Sequence, residues 1–266
     1  MKVRGERECR ECGARWSYYE TGSVECPDCG ALRSVGVGAM TAHTDAPATF
    51  DLTPHRARFG DARGTLPEEG VDDLKADLRE YARKRGFIRG GELLPLDDTY
   101  LAARELLEAV DLYDRLRDPT DRDREYLLAL LAGADEGDRP ETEAVPDSLR
   151  EARGMAAVRA VDEYRSDLLA FLDELSEAEN GEQGDDDAPA PTVSVFGDDP
   201  PLARIDPTGE PLERLRDRVK RVEALAGDVP PTDADALVDA ADALGEYVRT
   251  GDETALDHAR DRLSED

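Results

Sequence analysis

Apolar side chains return every three or four residues along most of this chain, and each such stretch predicts a helix with one buried face. Val71, Leu74, Leu78, Tyr81 and Ala82 mark the first, which starts at Glu68 and runs out near Gly86. Leu101, Leu106, Leu107, Val110, Tyr113 and Leu116 mark the second, capped by Asp97 or Asp98 and stopped by Asp118-Pro119. Thr120 caps a shorter one carrying Tyr126, Leu127, Leu130 and Leu131, which ends at Gly133. The polar stretch from Ala134 to Pro146 reads as a mobile loop. Ser148-Leu149-Arg150-Glu151 then reads as a capping box opening a long helix striped by Ala152, Met155, Val158, Val161, Leu168, Leu172 and Leu175. Near the C-terminus, Leu212, Leu215, Val219, Val222 and Ala226 form one arm of a helical hairpin. Gly227 to Pro231 turns the chain, and Ala234, Leu237, Ala241, Leu244 and Val248 form the other arm, with Thr232 as its cap. Gly251 sets off a last helix bearing Leu256, Ala259 and Leu263. The alanine-rich seam permits close pairing within the chain or with a second copy.

Two stretches lack this rhythm. Residues 39–67 hold His43, Pro47, Pro54 and His55 and read as an extended linker with solvent-exposed histidines. Residues 181–210 form an acidic linker rich in proline and glycine, interrupted by Thr192 to Phe196 as a short strand or docking peptide.

At the N-terminus the pattern changes to short β-prone runs. Arg4 to Glu8 and Ala31 to Val37 are outer strand candidates, and Ala14 to Glu20 is β-prone before the turn Thr21-Gly22-Ser23. Here lie the chain's four cysteines, Cys9, Cys12, Cys26 and Cys29, as two Cys-x-x-Cys pairs each followed by glycine. Paired knuckles at this spacing form a tetrahedral thiolate site, which points to structural zinc. A rubredoxin-like iron is the alternative, suggested by Cys-Pro-Asp-Cys-Gly and the nearby aromatics. Disulfides are set aside, because no apolar leader precedes Cys9 and such close pairs make poor staples. The fold class expected is therefore mainly α. A zinc ribbon (1–38) and a linker (39–67) precede a helical region (68–180), and a second linker (181–210) leads to a C-terminal helical hairpin plus last helix (211–266).

Charge changes the picture. The chain carries 63 acidic against 34 basic residues, a formal charge of −29. Lysine occurs only at Lys2, Lys75, Lys84 and Lys220, and this arginine-dominated acidic composition resembles that of halophilic cytosolic proteins. In molar salt the Debye length is about 3 Å, so such a coat hydrates the surface rather than destabilising it. Through residue 38, however, Lys2, Arg4, Arg7, Arg10, Arg15 and Arg33 balance Glu6, Glu8, Glu11, Glu20, Glu25 and Asp28. A neutral head on an acidic protein is a candidate contact surface, carried by Arg15, Trp16, Tyr18 and Tyr19. The competing reading makes Trp16 and one tyrosine the ribbon's own small core. A basic cluster of Arg79, Arg83, Lys84, Arg85 and Arg89, with Arg56, Arg58 and Arg63, faces enough carboxylates to read as a salt-laced surface rather than a phosphate site.

The run from Met1 through Cys9 to Gly36 resembles the zinc-ribbon head of uncharacterised haloarchaeal proteins, a ribbon commonly likened to that of the B-type transcription factor. Gly86 to Leu96 is similar to the same haloarchaeal proteins. The resemblance implies a zinc ribbon and, by analogy of fold, a role related to transcription.

No phosphate loop, nucleophile elbow or His-Glu-x-x-His motif occurs, and three histidines leave few bases, so no enzymatic activity is expected. No apolar run is long enough for a membrane span, and a cytoplasmic location is expected. These features favour a zinc-binding adaptor that engages a protein partner, with nucleic acid second because −29 opposes a polyanion. The alternative is a helical assembly protein in which the ribbon is only a stabilising module. Oligomeric state stays open at this point.

Overall fold

A computed structural model describes residues 2–59, 68–181 and 201–264 of the chain. The segment Thr192 to Phe196 and Arg63 lie outside the described residues. Strands β1 (Lys2–Cys9), β2 (Arg15–Ser17) and β3 (Ser34–Ala42) form an antiparallel sheet in the order β2-β1-β3. Glu8 pairs with Arg15 on one side and Val35 on the other, and the β1–β3 register slips between Arg4 and Glu6. Both outer-strand candidates do form strands, but β1, which holds Arg4 to Glu8, is the central strand of the sheet, and β3 starts at Ser34 rather than Ala31 and runs on to Ala42.

The β-prone stretch ends early, because Tyr18–Thr21 makes one helical turn, α1. Ser17 caps it by accepting from the Glu20 N–H, and Gly22 closes it in the left-handed conformation.

The stretch read as an extended connector contains α2 (Thr53–Phe59), with Leu52, His55 and Phe59 buried. His43 is buried too, so the expectation of exposed histidines is wrong for both. Leu52, His55 and Phe59 do keep helical spacing. The signal was hidden because histidine counts as polar and Pro54 reads as a breaker, whereas it occupies the first turn, where no N–H is needed. His258 is exposed, as expected.

Helices α3 (Glu68–Lys84), α4 (Asp98–Tyr113), α5 (Asp121–Gly133), α6 (Arg150–Gly181), α7 (Ile205–Ala224), α8 (Pro231–Thr250) and α9 (Glu253–Ser264) follow, with a hairpin of β4 (Ile88–Arg89) and β5 (Glu92–Leu93) between α3 and α4. The mainly α class holds. Asp97 caps α4 and Thr120 forms a capping box with Asp123 on α5. Two other caps do not form as read. The Ser148 hydroxyl donates to Asp123 instead, and α8 starts with Pro231 at its first position, without a side-chain cap from Thr232.

Long helix α6 lies at the centre, packed by α4, α7 and α8. Its Tyr164 is fully buried and meets Phe87 edge-on at 4.9 Å, while Phe87 meets Tyr100 in the same way at 5.1 Å. On α8, Gly245 lets the Tyr164 hydroxyl approach so closely that a Cβ would lie 1.7 Å from it. The alanine seam of α8 is consumed inside the chain, with Ala234, Ala240 and Ala241 fully buried. One continuous apolar core runs from Ala42 to Leu263, and a separate small one joins Cys9, Trp16 and Cys26.

Candidate metal centre

Two knuckles of matching construction hold the cysteines. In the first, Cys9 N–H donates to the Ala14 carbonyl at 2.8 Å and Gly13 N–H to the Cys9 carbonyl at 3.1 Å. In the second, Cys26 N–H donates to Ala31 at 3.0 Å and Gly30 N–H to Cys26 at 2.9 Å. Gly13 and Gly30, at φ of 77° and 70°, make both turns at positions a β-carbon would strain.

Sheet pairing then brings the knuckles together. The four sulfurs lie within 4.8 Å of one another, with Cys9 Sγ 3.7 Å from Cys29 and Cys12 Sγ 3.6 Å from Cys26. Those contacts are far longer than a disulfide bond, and all four thiols are free. A tetrahedral ion bound at the zinc–thiolate length of about 2.3 Å requires edges of about 3.8 Å. The donor set therefore fits one ion, with every coordination position supplied by the protein.

Electrostatics favour the same conclusion. N–H groups of Cys12 and Glu11 draw the Cys9 thiol down to about 7. Cys29 feels a similar pull from the Ala31 N–H, but the thiols of Cys12 and Cys26 outweigh it and push Cys29 up to about 12. Four thiolates at these separations repel one another, and a bound dication turns that repulsion into attraction. Cys9 and Cys26 are buried, whereas Cys12 and Cys29 face solvent at the tip.

The four residues expected to form a contact surface are scattered. Trp16 is buried between Cys9 and Cys26, and its indole N–H donates to the Ser23 carbonyl at 3.0 Å. Tyr19 packs on His43 with ring centres 4.6 Å apart, and its hydroxyl meets Thr41 and the Val3 carbonyl. Tyr18 lies edge-on to His43. Only Arg15 is exposed, held by Glu8 at 2.6 Å. The competing reading, an internal role for the aromatics, describes Trp16.

What the sequence reading missed is the seam joining head to body. Beyond β3, Thr44 N–H donates to Ile88 at 2.8 Å and Ala46 N–H to Lys84 at 2.8 Å. Asp167 of α6 accepts from the Thr44 hydroxyl and the Phe87 N–H, both at 2.7 Å. Buried Asp45 is clamped by Arg85 and Arg89, so two members of the basic cluster are internal partners rather than phosphate ligands. Glycines offered the one available signal. A Cβ on Gly5 would strike the Tyr19 ring at 2.1 Å and one on Gly90 at 2.8 Å, so the ring sits between two backbones that only glycine leaves open.

A second missed feature lies deep in the helices. Glu105, completely buried on α4, accepts from Arg139 and Arg153 at 3.1 Å each and from the Tyr126 hydroxyl. Arg153 also grips Asp235 of α8 with two bonds of 2.9 and 2.8 Å and donates to the Pro140 carbonyl. Far from being a mobile loop, the stretch 134–146 is thus tied into the body.

One family profile matches residues 1–187 and 193–263 of the chain, spanning ribbon and helices alike. The chain belongs to a family of unknown function, DUF7117. Comparison with curated proteins gives no match, and neither does comparison with solved structures. For this DUF7117 chain, no helix among the described residues is long and apolar enough to cross a membrane.

Proposed function

We propose that this protein is a non-enzymatic zinc-binding adaptor of the cytosol, whose ribbon tip meets a protein partner. The observation that carries this reading is the division of the head into a bound side and a free side. Tyr18 and Tyr19 are turned towards the body, while the ribbon exposes Leu32 and Val24, at 70% and 44%, as well as Cys12 and Cys29. Exposed aliphatic side chains on a metal-stiffened tip suit a partner's apolar pocket. Zinc is favoured over iron because a closed four-thiolate set on a ribbon suits a metal that only holds structure. The ribbon's likeness to that of the B-type transcription factor, and to haloarchaeal relatives, supports a role near transcription, an analogy of fold. A protein is the favoured partner over nucleic acid because the chain carries −29.

Elemental analysis should find one zinc per chain. Cross-linking in a native-salt lysate should place a partner on residues 24–33, and Leu32→Asp should abolish those links while metal content stays the same. Links confined to the helices, or untouched by Leu32→Asp, would remove the tip from the proposal.

A further inference from the structure

We infer that the cleft between the end of α7, the start of α8 and α9 is a binding site for a small organic phosphate. It encloses a cavity of about 390 Å³, within the size range of small-molecule sites. Buried Val222, Val229 and Leu237 contribute apolar lining, and Arg218, Arg221 and Arg262 supply three guanidinium groups.

Among the described residues, Arg218 and Arg221 have no carboxylate partner. Acidic residues outnumber basic ones almost two to one, and arginines elsewhere are commonly paired with carboxylates, as Arg85, Arg89 and Arg153 are. Among the described residues, Arg218 has only the Arg262 carbonyl as a recorded side-chain acceptor, at 3.2 Å, and Arg221 has none. Three residues apart on one helix, the two present like charges to the same side, which costs energy until an anion lies between them. Arg262 ion-pairs with Asp239 at 3.3 Å through Nη2, yet its Nε is buried with no hydrogen-bond partner. A guanidinium fork matches phosphate oxygens in pairs, so three forks around one concavity suit a phosphoryl group better than a single carboxylate.

Two carboxylates also line the cleft and sharpen the inference. Asp228 is held by Arg150 at 2.5 Å, and Asp233 sits in the first turn of α8 beside Thr232. Asp233 opposes an anion, so its neutralisation should tighten binding, a sign that a structural role for these residues does not produce. The apolar lining calls for a ligand with a hydrocarbon part next to its phosphate.

Titration of the full zinc-loaded chain with phenyl phosphate, followed by NMR or calorimetry, tests this. We expect one saturable site, weakened about tenfold or more by Arg221→Gln and tightened by Asp233→Asn. Lys220→Gln removes the same charge from the neighbouring position outside the cleft and should leave affinity within about twofold. Inorganic phosphate and benzoate should each bind more weakly than phenyl phosphate. Arg221→Gln alters an exposed side chain, and circular dichroism will show that the helices persist. No saturable binding to the folded chain, or equal losses in Arg221→Gln and Lys220→Gln, would overturn the site. Benzoate binding more tightly than phenyl phosphate would overturn the phosphate assignment, and inorganic phosphate binding equally well would overturn the apolar component.

Discussion

Head and body of this protein solve the same problem with different means. The ribbon has a core of Cys9, Trp16 and Cys26, too little apolar surface to offset the entropy of ordering its strands. The body buries a continuous apolar core from Ala42 to Leu263 and carries all of the net negative charge. In the head, the ion proposed for the four thiolates would stand in for the packed side chains of the body. Stability in the first would then be coordination chemistry, and in the second it is packing.

The largest expected effect breaks that comparison in two. Cys26→Ser, or removal of the metal, takes away a contribution on the order of 10 kcal/mol from the ribbon alone. The only tryptophan, Trp16, lies in the ribbon core, so its fluorescence reports the head while far-ultraviolet circular dichroism reports the helices. We expect the Trp16 emission to shift to that of an exposed indole with the helical signal nearly unchanged. Loss of both signals together would mean that the seam at Tyr19 and His43 fuses head and body into one cooperative unit.

The converse experiment acts on the body. Arg153→Leu leaves Glu105 with Arg139 as its only cation and strips Asp235 of its bidentate partner, in a place where water does not reach Glu105. Breaking such a buried arrangement costs about 3–5 kcal/mol. Chemical denaturation followed by circular dichroism should show that loss, while zinc stoichiometry stays at one. A smaller step in the same direction is Gly245→Ala, whose methyl group would collide with the Tyr164 hydroxyl and disturb its 2.8 Å bond from Arg249. Overpacking of this kind costs about 1–3 kcal/mol, and an unchanged denaturation midpoint would show that α6 and α8 separate more easily than their contact suggests.

Legibility divides along the same line. The thiolate site could be read from spacing alone because its chemistry is local, four residues in two knuckles with glycines that allow the turns. Helices α3 to α9 were legible because periodicity survives without knowledge of what packs against it, except that α7 begins at Ile205, within the stretch 181–210 read as a linker, because prolines and glycine at 207–211 read as breakers. Features made by distant residues were not. Nothing local marks Glu105 as buried, since its partners Arg139, Arg153 and Tyr126 come from elsewhere in the chain. Whether Trp16 and Tyr19 face a partner or the protein's own interior could not be decided from sequence for the same reason, because the surfaces that cover them arise from knuckle packing and from Gly90. Caps failed at Ser148, whose hydroxyl goes to Asp123 instead, and at Thr232, because α8 starts one residue earlier with Pro231.

The smallest effect concerns the seam itself and turns on His43. Burial, aided by Arg89 and opposed by Asp45, holds the imidazole below its ordinary value of 6.5, and its Nδ1 has no hydrogen-bond partner. The unfolded chain therefore binds a proton that the native chain resists, so the native state loses stability as pH falls below the unfolded value and keeps it above. His43→Phe removes the titrating group while retaining an aromatic ring against Tyr19. Wild type and variant should match near neutral pH, and the variant should become the more stable of the two as pH is lowered to about 5. Acid also protonates the cysteine ligands, but it does so in both proteins, and the difference between their denaturation curves isolates His43. A difference that stays constant from about pH 8 to 5 would mean that His43 takes up no more protons on unfolding than it holds when folded, leaving the seam indifferent to acid.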